Sequence, residues 1–401
     1  MFMRGTMPKV KADDQGRLVL PEEFLKRRHL ASNTEYWLNG REGDLILHPC
    51  LPDARKLYVE PTTTCNLHCR TCIRNIWEEP ESQMSMDMFQ RMAEGLTELP
   101  ELSRVVFTGF GEPLVHPDIL QMIEAVRERD IAVTVGSNGL LLNADMAREL
   151  VRLGVDRFVV SVDGVKPETY ANIRGATLLH VLENIRILNE VKKQLGSLTP
   201  ALGIEFVVLQ SNFTELGELT RLASRLNANR VLVTNVLPYT EEMYGEILYG
   251  YEPRQPFRVG GWPVKADAWV MWGTLELPHM HWGAERHCRF VQDRAMVIGS
   301  DGGVSPCYAL LHNYSYLAVD GRKKTVSRYV LGNVNTESLA DIWMSEDYVR
   351  FRGEVRTFHF PSCPDCDLRD SCDLREKNEG CWGWNPSCAD CLWAQSIIRC
   401  P

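Results

Sequence analysis

The sequence predicts an α/β fold centred on a partial (β/α)6 barrel, with a small β-rich domain ahead of it and a cysteine-rich domain behind. Three observations carry this expectation. Between residues 55 and 240 six short apolar runs alternate with longer amphipathic stretches, the pattern of a parallel sheet with helical crossovers. Residues 1–50 carry strand-length runs separated by turn residues instead. Of the thirteen cysteines, only Cys50 and a group at 65–72 precede residue 288, while nine lie between 288 and 400.

In the first domain, residues 10–12 and 17–20 flank the turn Asp13-Asp14-Gln15-Gly16. A short helix over 22–28 follows, then strands near 36–39 and 44–47 around a turn from Gly40 to Gly43. The pattern Asp13-x-x-Gly16-Arg17-x-x-x-Pro21 resembles the swapped-hairpin barrels of AbrB-like transition-state regulators. Such hairpins are completed by a second copy, which implies a homodimer through this domain. The relatives bind DNA, but residues 1–50 hold eight Lys and Arg against seven Asp and Glu. A charge near +1 is a poor footprint for a phosphate backbone, so docking or dimerisation is the expected role.

The second domain, 55–240, has apolar runs at 57–60, 105–108, 132–135, 158–161, 204–209 and 231–236. Helical patterns lie between them at 86–99, 118–129, 144–153, 178–193 and 215–226, with Pro117 at a first-turn position and Asn143, Thr177 and Thr214 as N-caps. Six units fall short of the eight that close a full barrel. Residues 241–285 break the rhythm with prolines, glycines and the tryptophans Trp262, Trp269, Trp272 and Trp282, and read as a bridging segment or a substrate-contacting lid. Residues 286–401 form the cysteine-rich domain.

A net charge of -9 argues against nucleic acid or anionic membrane as partner of the whole chain. No apolar stretch approaches the ~20 residues that span a bilayer, and the N-terminus lacks a signal-peptide core, so a cytoplasmic protein is expected. In that reducing compartment thirteen cysteines point to metal or cluster ligation rather than disulfides.

Cys65, Cys69 and Cys72 form Cys-x3-Cys-x2-Cys directly after the first barrel strand. Three thiolates on one loop can hold three irons of a four-iron cluster and leave the fourth open, whereas structural zinc takes four ligands and a redox dithiol two. The motif resembles the signature of the radical S-adenosylmethionine (SAM) enzymes. The resemblance implies a 4Fe-4S cluster whose open iron chelates the methionyl group of SAM and whose electron cleaves it to methionine and a 5'-deoxyadenosyl radical that takes hydrogen from a substrate.

Ligands of parallel sheets bind beyond the carboxyl ends of the strands. After the second strand stands Gly109-Phe110-Gly111-Glu112-Pro113, which resembles the family's Gly-Gly-Glu-Pro element and implies a seat for the methionyl ammonium. Ser137-Asn138-Gly139 and Ser161-Val162-Asp163-Gly164 end the next two strands, with Asn138, Ser161 and Asp163 suited to ribose hydroxyls and the SAM carboxylate. Arg174 is a candidate partner of that carboxylate and Asn212 of the adenosine. Two departures concern the adenine contact: Thr71 replaces an aromatic residue before Cys72, and Phe110 replaces a glycine.

Cys288-x13-Gly302-x4-Cys307 and the distal Cys363-x2-Cys366-x5-Cys372 resemble the SPASM domain, which carries auxiliary four-iron clusters. The resemblance implies a first auxiliary cluster on Cys288, Cys307 and Cys381, and a second on Cys363, Cys366 and Cys372 with one of Cys388, Cys391 or Cys400, making three clusters with the SAM cluster. Eight residues rather than three separate Cys372 from Cys381, and Cys-x2-Cys pairs at 363 and 388 also suit zinc.

The AbrB-like start, the triad and the tail from Cys381-Trp382-Gly383-Trp384 through Cys388-Ala389-Asp390-Cys391 together resemble the radical SAM maturases associated with tungsten-cofactor oxidoreductases. That implies an enzyme modifying a peptide, a protein or the cofactor of a tungsten-dependent aldehyde oxidoreductase, with ferredoxin or flavodoxin as electron donor. A peptide maturase forming thioether or carbon-carbon crosslinks is the alternative within the enzymes; a DNA-binding iron-sulfur redox sensor is the alternative outside them. Tyr239, Glu241 and Glu242 after the sixth strand are the nearest acid-base candidates, and His279 and His281 are possible cluster ligands, though none stands out from ordinary surface or packed residues.

Overall fold

Asp13 organises the first described turn: its Oδ1 accepts hydrogen bonds from the Gln15 and Arg17 amides at 3.0 and 2.8 Å. Gly16 supplies the left-handed φ of +77° that closes the turn. The computed structural model describes residues 10–27, 30–31, 33–41, 44–252, 274–283, 286–380, 383 and 385–400. They belong to two units, Met1–Leu51 and Pro52–Pro401. In the first, Ala12 bridges antiparallel to Leu18, helix α1 spans Glu22–Arg27, and β1 (Tyr36–Arg41) pairs antiparallel with β2 (Asp44–Pro49). The helix and the strands expected near 36–39 and 44–47 fall where the sequence suggests, whereas the runs at 10–12 and 17–20 meet only in the single Ala12–Leu18 bridge and residues 42–43 of the expected turn lie outside the described residues. Leu18, Val19, Leu38 and Leu45 of this unit are exposed.

The second unit is built on six parallel strands in sequence order: β3 (Lys56–Val59), β4 (Arg104–Phe107), β5 (Ala132–Ser137), β6 (Arg157–Ser161), β7 (Ala201–Val208) and β8 (Ala228–Asn235). Their alternation is two-sided. Leu57, Val59, Val105 and Phe107 pack against the crossover helices, whereas Tyr58 and Val106 join an interior shared with the cysteine-rich region. The crossovers are α2 (Met86–Glu94), α3 (Ile119–Arg127), α4 (Ala144–Arg152), α5 (Pro167–Arg174), α6 (Leu178–Gln194) and α7 (Leu216–Arg225).

Asn143 caps α4 as expected, accepting from Met146 N. Thr177 stands at the α6 N-cap without a side-chain bond, and Thr214 belongs to a 3-10 turn, Phe213–Glu215, that precedes α7. Pro117 lies one residue before the Asp118 N-cap. α5 was hidden in the sequence because its weak apolar pattern reads as the loop after Asp163; Pro167 in its first turn and Gly175 in the left-handed region at its end define it.

The sheet continues beyond the sixth strand. β9 (Thr274–Glu276), from the stretch expected to bridge, pairs parallel with β8. At the other edge β10 (Ala295–Ile298) runs parallel to β3, followed by antiparallel β11 (Gly303–Ser305). Two hairpin strands, β12 (Tyr314–Leu317) and β13 (Lys323–Val326), stand apart, and β14 (Gly332–Asn333) ends the ten-stranded sheet beside β11. The cysteine-rich region thus shares a hydrogen-bonded edge with the barrel. Among the described residues no helix is long and apolar enough to cross a membrane. Trp262, Trp269, Trp272 and Cys381 lie outside the described residues; Trp282 is buried against Tyr251, ring centroids 4.7 Å apart.

Candidate active site

The loop after β3 carries the triad, and backbone hydrogen bonds hold it on several sides. Glu112 N donates to Thr64 O at 2.9 Å, Arg70 N to Ile173 O at 2.8 Å, and Cys72 N to Cys69 O at 3.0 Å. Asn75 Nδ2 also donates to Cys69 O at 2.9 Å. The Arg70 side chain pairs with Glu246 and Glu242, and Tyr239 donates to Arg70 O. Tyr239 and Glu242 therefore brace the triad loop, and neither they nor Glu241 line the cavity described next.

Cys65, Cys69 and Cys72 line one cavity of about 270 Å³ with Thr71, Gly109, Phe110, Gly111, Glu112, Asn138, Ser161, Asp163 and Arg174. Nine residues proposed from sequence for SAM were Gly109, Phe110, Gly111, Glu112, Asn138, Ser161, Asp163, Arg174 and Asn212; eight are on this wall. Asn212 is the exception. It is fully buried in the turn after β7, where Nδ2 donates to the Asp163 and Val207 carbonyls, both at 2.9 Å, and Oδ1 accepts from Leu209 N at 2.7 Å. Its amide is spent on shaping the turn.

The two glycines have a steric reason. A Cβ on Gly109 would meet Glu60 Cγ at 2.5 Å, and one on Gly111 would overlap the Thr62 carbonyl. They let the second loop lie against the triad loop. Glu112 is buried, accepting from Ser137 Oγ at 2.8 Å, Asn138 N at 2.7 Å and Leu114 N at 3.1 Å. Burial raises its carboxyl above the usual range against these donors. Asp163 is likewise raised by burial, opposed by Arg174, whose Nε lies 3.0 Å from Asp163 Oδ2.

Two side chains aim N–H groups at the sulfurs. Arg174 Nη1 lies 3.3 Å from Cys69 Sγ, and Asn138 Nδ2 lies 3.9 Å from Cys65 Sγ while donating to Asn66 Oδ1 at 2.7 Å. Arg174 Nη2 has no hydrogen-bond partner among the described residues although it is buried. The donor set fits a four-iron cluster: three thiols on one wall, the nearby carboxyls of Glu112 and Asp163 committed to other partners, and a buried guanidinium N–H of Arg174 without a partner among the described residues. A cubane takes one thiolate per iron, and the triad offers three.

Sequence reasoning missed a network behind Phe110. Phe110 N donates to Glu60 Oε1 at 2.8 Å; Glu60 Oε2 meets His312 Nε2 at 2.8 Å; and His312 Nδ1 meets Glu79 Oε2 at 2.7 Å. The His312 ring lies 4.2 Å from Trp77 and 5.6 Å from Phe110, centroid to centroid. A lone histidine in the distal region gave no signal. A second miss is Glu205, the one charged residue within the apolar run 202–209, and that placement was the available cue.

The C-terminal cysteines are redistributed relative to the sequence reading. Cys307, Cys388 and Cys391 line a small cavity with Lys324 and Asp390, an ion pair buried between the two cysteine groups. Burial pushes Cys288 up to about 12 and raises Cys307 and Cys388 well above the usual thiol range, and these neighbours' charges, with that of Cys391, add to the rise. Cys363, Cys366 and Cys372 line a separate cavity of about 170 Å³ with Arg369 and Arg375. Cys388 and Cys391 thus sit with Cys288 and Cys307, not with the 363–372 group, because His287 N bonds Ala394 O at 2.9 Å and draws the tail alongside residue 288.

Cys400 is with neither group. It lines a cavity of about 210 Å³ that shares Cys72, Phe110 and Glu205 with the first, and Trp393 Nε1 lies 3.3 Å from its sulfur. The tail is held there by Arg399 N on Thr234 Oγ1 at 2.8 Å and Asn235 Nδ2 on Ile397 O at 3.0 Å. His279 and His281 are engaged through their backbones, with Ser396 and Gly250, and neither lines a cysteine cavity.

A parallel strand-helix barrel with three cysteines after its first strand and a glycine pair after its second defines a radical SAM enzyme, and residues 59–205 match the Radical SAM superfamily. Residues 288–367 match SPASM, an iron-sulfur cluster-binding domain. The chain is 39% identical over 352 residues to the tungsten-containing aldehyde ferredoxin oxidoreductase cofactor-modifying protein of Pyrococcus furiosus, covering 86% of this chain and 96% of that one. It belongs to that family, within the SPASM subfamily of radical SAM enzymes, whose cofactors are SAM and 4Fe-4S clusters.

A more distant relative is the PqqA peptide cyclase of Granulibacter bethesdensis, 24% identical over 328 residues, which is 78% of this chain and 80% of that one. In fold this chain resembles Streptococcus suis SuiB bound to S-adenosylmethionine, with TM-score 0.55, 18% identity and coverage of 82% and 73% of the two chains. It also resembles anSMEcpe with bound AdoMet and Cp18Cys peptide, with TM-score 0.52, 16% identity and coverage of 85% and 94%.

Proposed function

We propose that this enzyme modifies a peptide or protein segment, or the cofactor, of a tungsten-dependent aldehyde oxidoreductase, using SAM bound in the cavity that the triad lines. The observation that carries the reading is the convergence of Cys65, Cys69, Cys72, Gly109–Glu112, Asn138, Asp163 and Arg174 on one wall, in a chain 39% identical to a tungsten-enzyme cofactor-modifying protein. When bound, the cluster supplies the electron that cleaves SAM. The chain's own part is to hold three irons through the triad and to offer Arg174 to an anionic group. Asn138, Ser161 and Asp163 would serve the ribose hydroxyls and carboxylate of SAM, while the glycine loop keeps the triad loop in register.

Two auxiliary clusters complete the reading, one on Cys288, Cys307, Cys388 and Cys391 and one on Cys363, Cys366 and Cys372. Cys381, expected from the sequence on the first auxiliary cluster, lies outside the described residues, and Cys400 is left without iron. The enzyme works in the cytoplasm with a low-potential donor such as ferredoxin or flavodoxin. The working divisions are residues 1–50, 55–240, 241–285 and 286–401.

Anaerobic reconstitution tests this. About twelve irons per chain and 5'-deoxyadenosine on reduction with SAM are expected. Cys72→Ala should lower the iron by about four and abolish 5'-deoxyadenosine. About four irons in the native chain would sink the auxiliary clusters; full iron without 5'-deoxyadenosine would sink the SAM cavity. Mass spectrometry of a co-expressed oxidoreductase, with and without this chain, reads the modification.

A further inference from the structure

Glu205 stands on β7 in a run that is otherwise apolar, and it reaches the wall shared by the triad cavity and the second cavity of about 210 Å³. Among the described residues its carboxylate has no hydrogen bond or ion pair. Burial pushes it up to about 7, the Asp163 charge adding to the rise. On the neighbouring strand Asn235 lines the second cavity, 2% exposed. Its Nδ2 donates to His279 O and Ile397 O, both at 3.0 Å, and ties the tail to this wall, while Oδ1 is closed to solvent.

Glu205 thus lacks a donor in a chamber whose wall carries apolar side chains such as Val236 and Ile398, together with threonines and the Tyr308 hydroxyl, which is buried without a partner among the described residues. A buried acceptor left unmatched is costly, so the chamber is complementary to a donor-rich group on an apolar stem. Arg399, the cation on the wall, is engaged with Glu276 and with the Leu277 carbonyl.

We propose that this second cavity is the substrate chamber and that it takes an alkyl side chain ending in an ammonium group, held by Glu205. The inference rests on the reading of the first cavity as the SAM site. It selects a lysine-like side chain of a peptide or protein over a phosphorylated cofactor, because an anion here would meet an unneutralised carboxylate in a low-dielectric wall.

The probes are perdeuterated n-butylamine, n-butanol and butyrate, given separately at pH 8 to the reconstituted, reduced, SAM-bound enzyme. The deuterium fraction in 5'-deoxyadenosine is followed against probe concentration, a ratio independent of overall rate. Butylamine should label at the lowest concentration and butyrate least. Glu205→Gln should raise the half-saturating butylamine concentration about tenfold and move that of butanol less than twofold. Equal labelling from butyrate overturns the proposal. So does an unchanged butylamine response in the variant, or a variant that shifts only the half-saturating SAM concentration, which would make Glu205 a SAM contact. If no 5'-deoxyadenosine forms from any probe, the SAM-site reading fails; ligand-detected NMR on the unreduced protein then decides the chamber separately, butylamine over butyrate supporting it and the reverse overturning it.

Discussion

His312 shows how one side chain far along the sequence can stiffen the site. Both ring nitrogens meet carboxylates, at 2.8 Å from Glu60 and 2.7 Å from Glu79, so the imidazolium satisfies both. Burial pulls its pKa down, but the hydrogen bonds and charges of Glu60 and Glu79 outweigh this and hold it above 6.5. Glu79, despite partial burial, is held below 4.5 by Asn313 and His312. A raised imidazole stabilises the fold fully below pH 6.5 and loses that contribution as pH climbs through the elevated value. The lowered Glu79 contributes above pH 4.5 and fades as pH falls through its depressed value. The bridge is therefore strongest between these limits. His312→Gln should reduce unfolding free energy by about 3 kcal/mol at pH 6, because Glu60 is left buried without its cationic partner. Denaturant titrations should show the deficit shrinking by pH 9; a deficit unchanged between the two would rule out the imidazolium.

At the scale of elements, the glycine loop after β4 is a spacer between two working loops. Gly111→Ala would drive a methyl into the Thr62 carbonyl and push the triad loop outward. It should cut 5'-deoxyadenosine formation about a hundredfold, since misplacement of about 1 Å is enough for that. Gly196→Ala is the matching control: φ is +63° with open space around it, so it should cost about 1 kcal/mol of stability and leave activity unchanged. Equal losses in both would refute the spacer role. The strands, five of the crossover helices and the triad were legible because apolar alternation and Cys-x3-Cys-x2-Cys are local patterns. The cysteine pairing was not, since it depends on the tail bonding at His287 and Asn235, contacts more than 100 residues apart in sequence. Asn212 misled for a related reason: a polar residue after a strand looks the same whether it faces a ligand or its own turn.

For the whole molecule, the ten-stranded sheet joins barrel and cysteine-rich region without any strand from the described residues of the first unit. The first unit is a small one with a two-stranded ribbon, and such ribbons are marginal alone in water. It nonetheless exposes Val19 to 70% and Leu38 to 63%. Apolar side chains on a small hairpin unit are best explained by a partner surface, and a second copy of the same unit supplies one that is self-complementary under two-fold symmetry. The native chain should therefore sediment as a dimer at micromolar concentration, and Val19→Glu with Leu38→Glu should make it a monomer. Because the sheet and the triad cavity draw on residues beyond 51, 5'-deoxyadenosine formation per chain should stay within about twofold of the native value. A native chain that sediments as a monomer would remove the dimer. A charged variant that still dimerises would move the interface elsewhere, and a monomer that loses SAM cleavage would mean that the first unit contributes to the site itself.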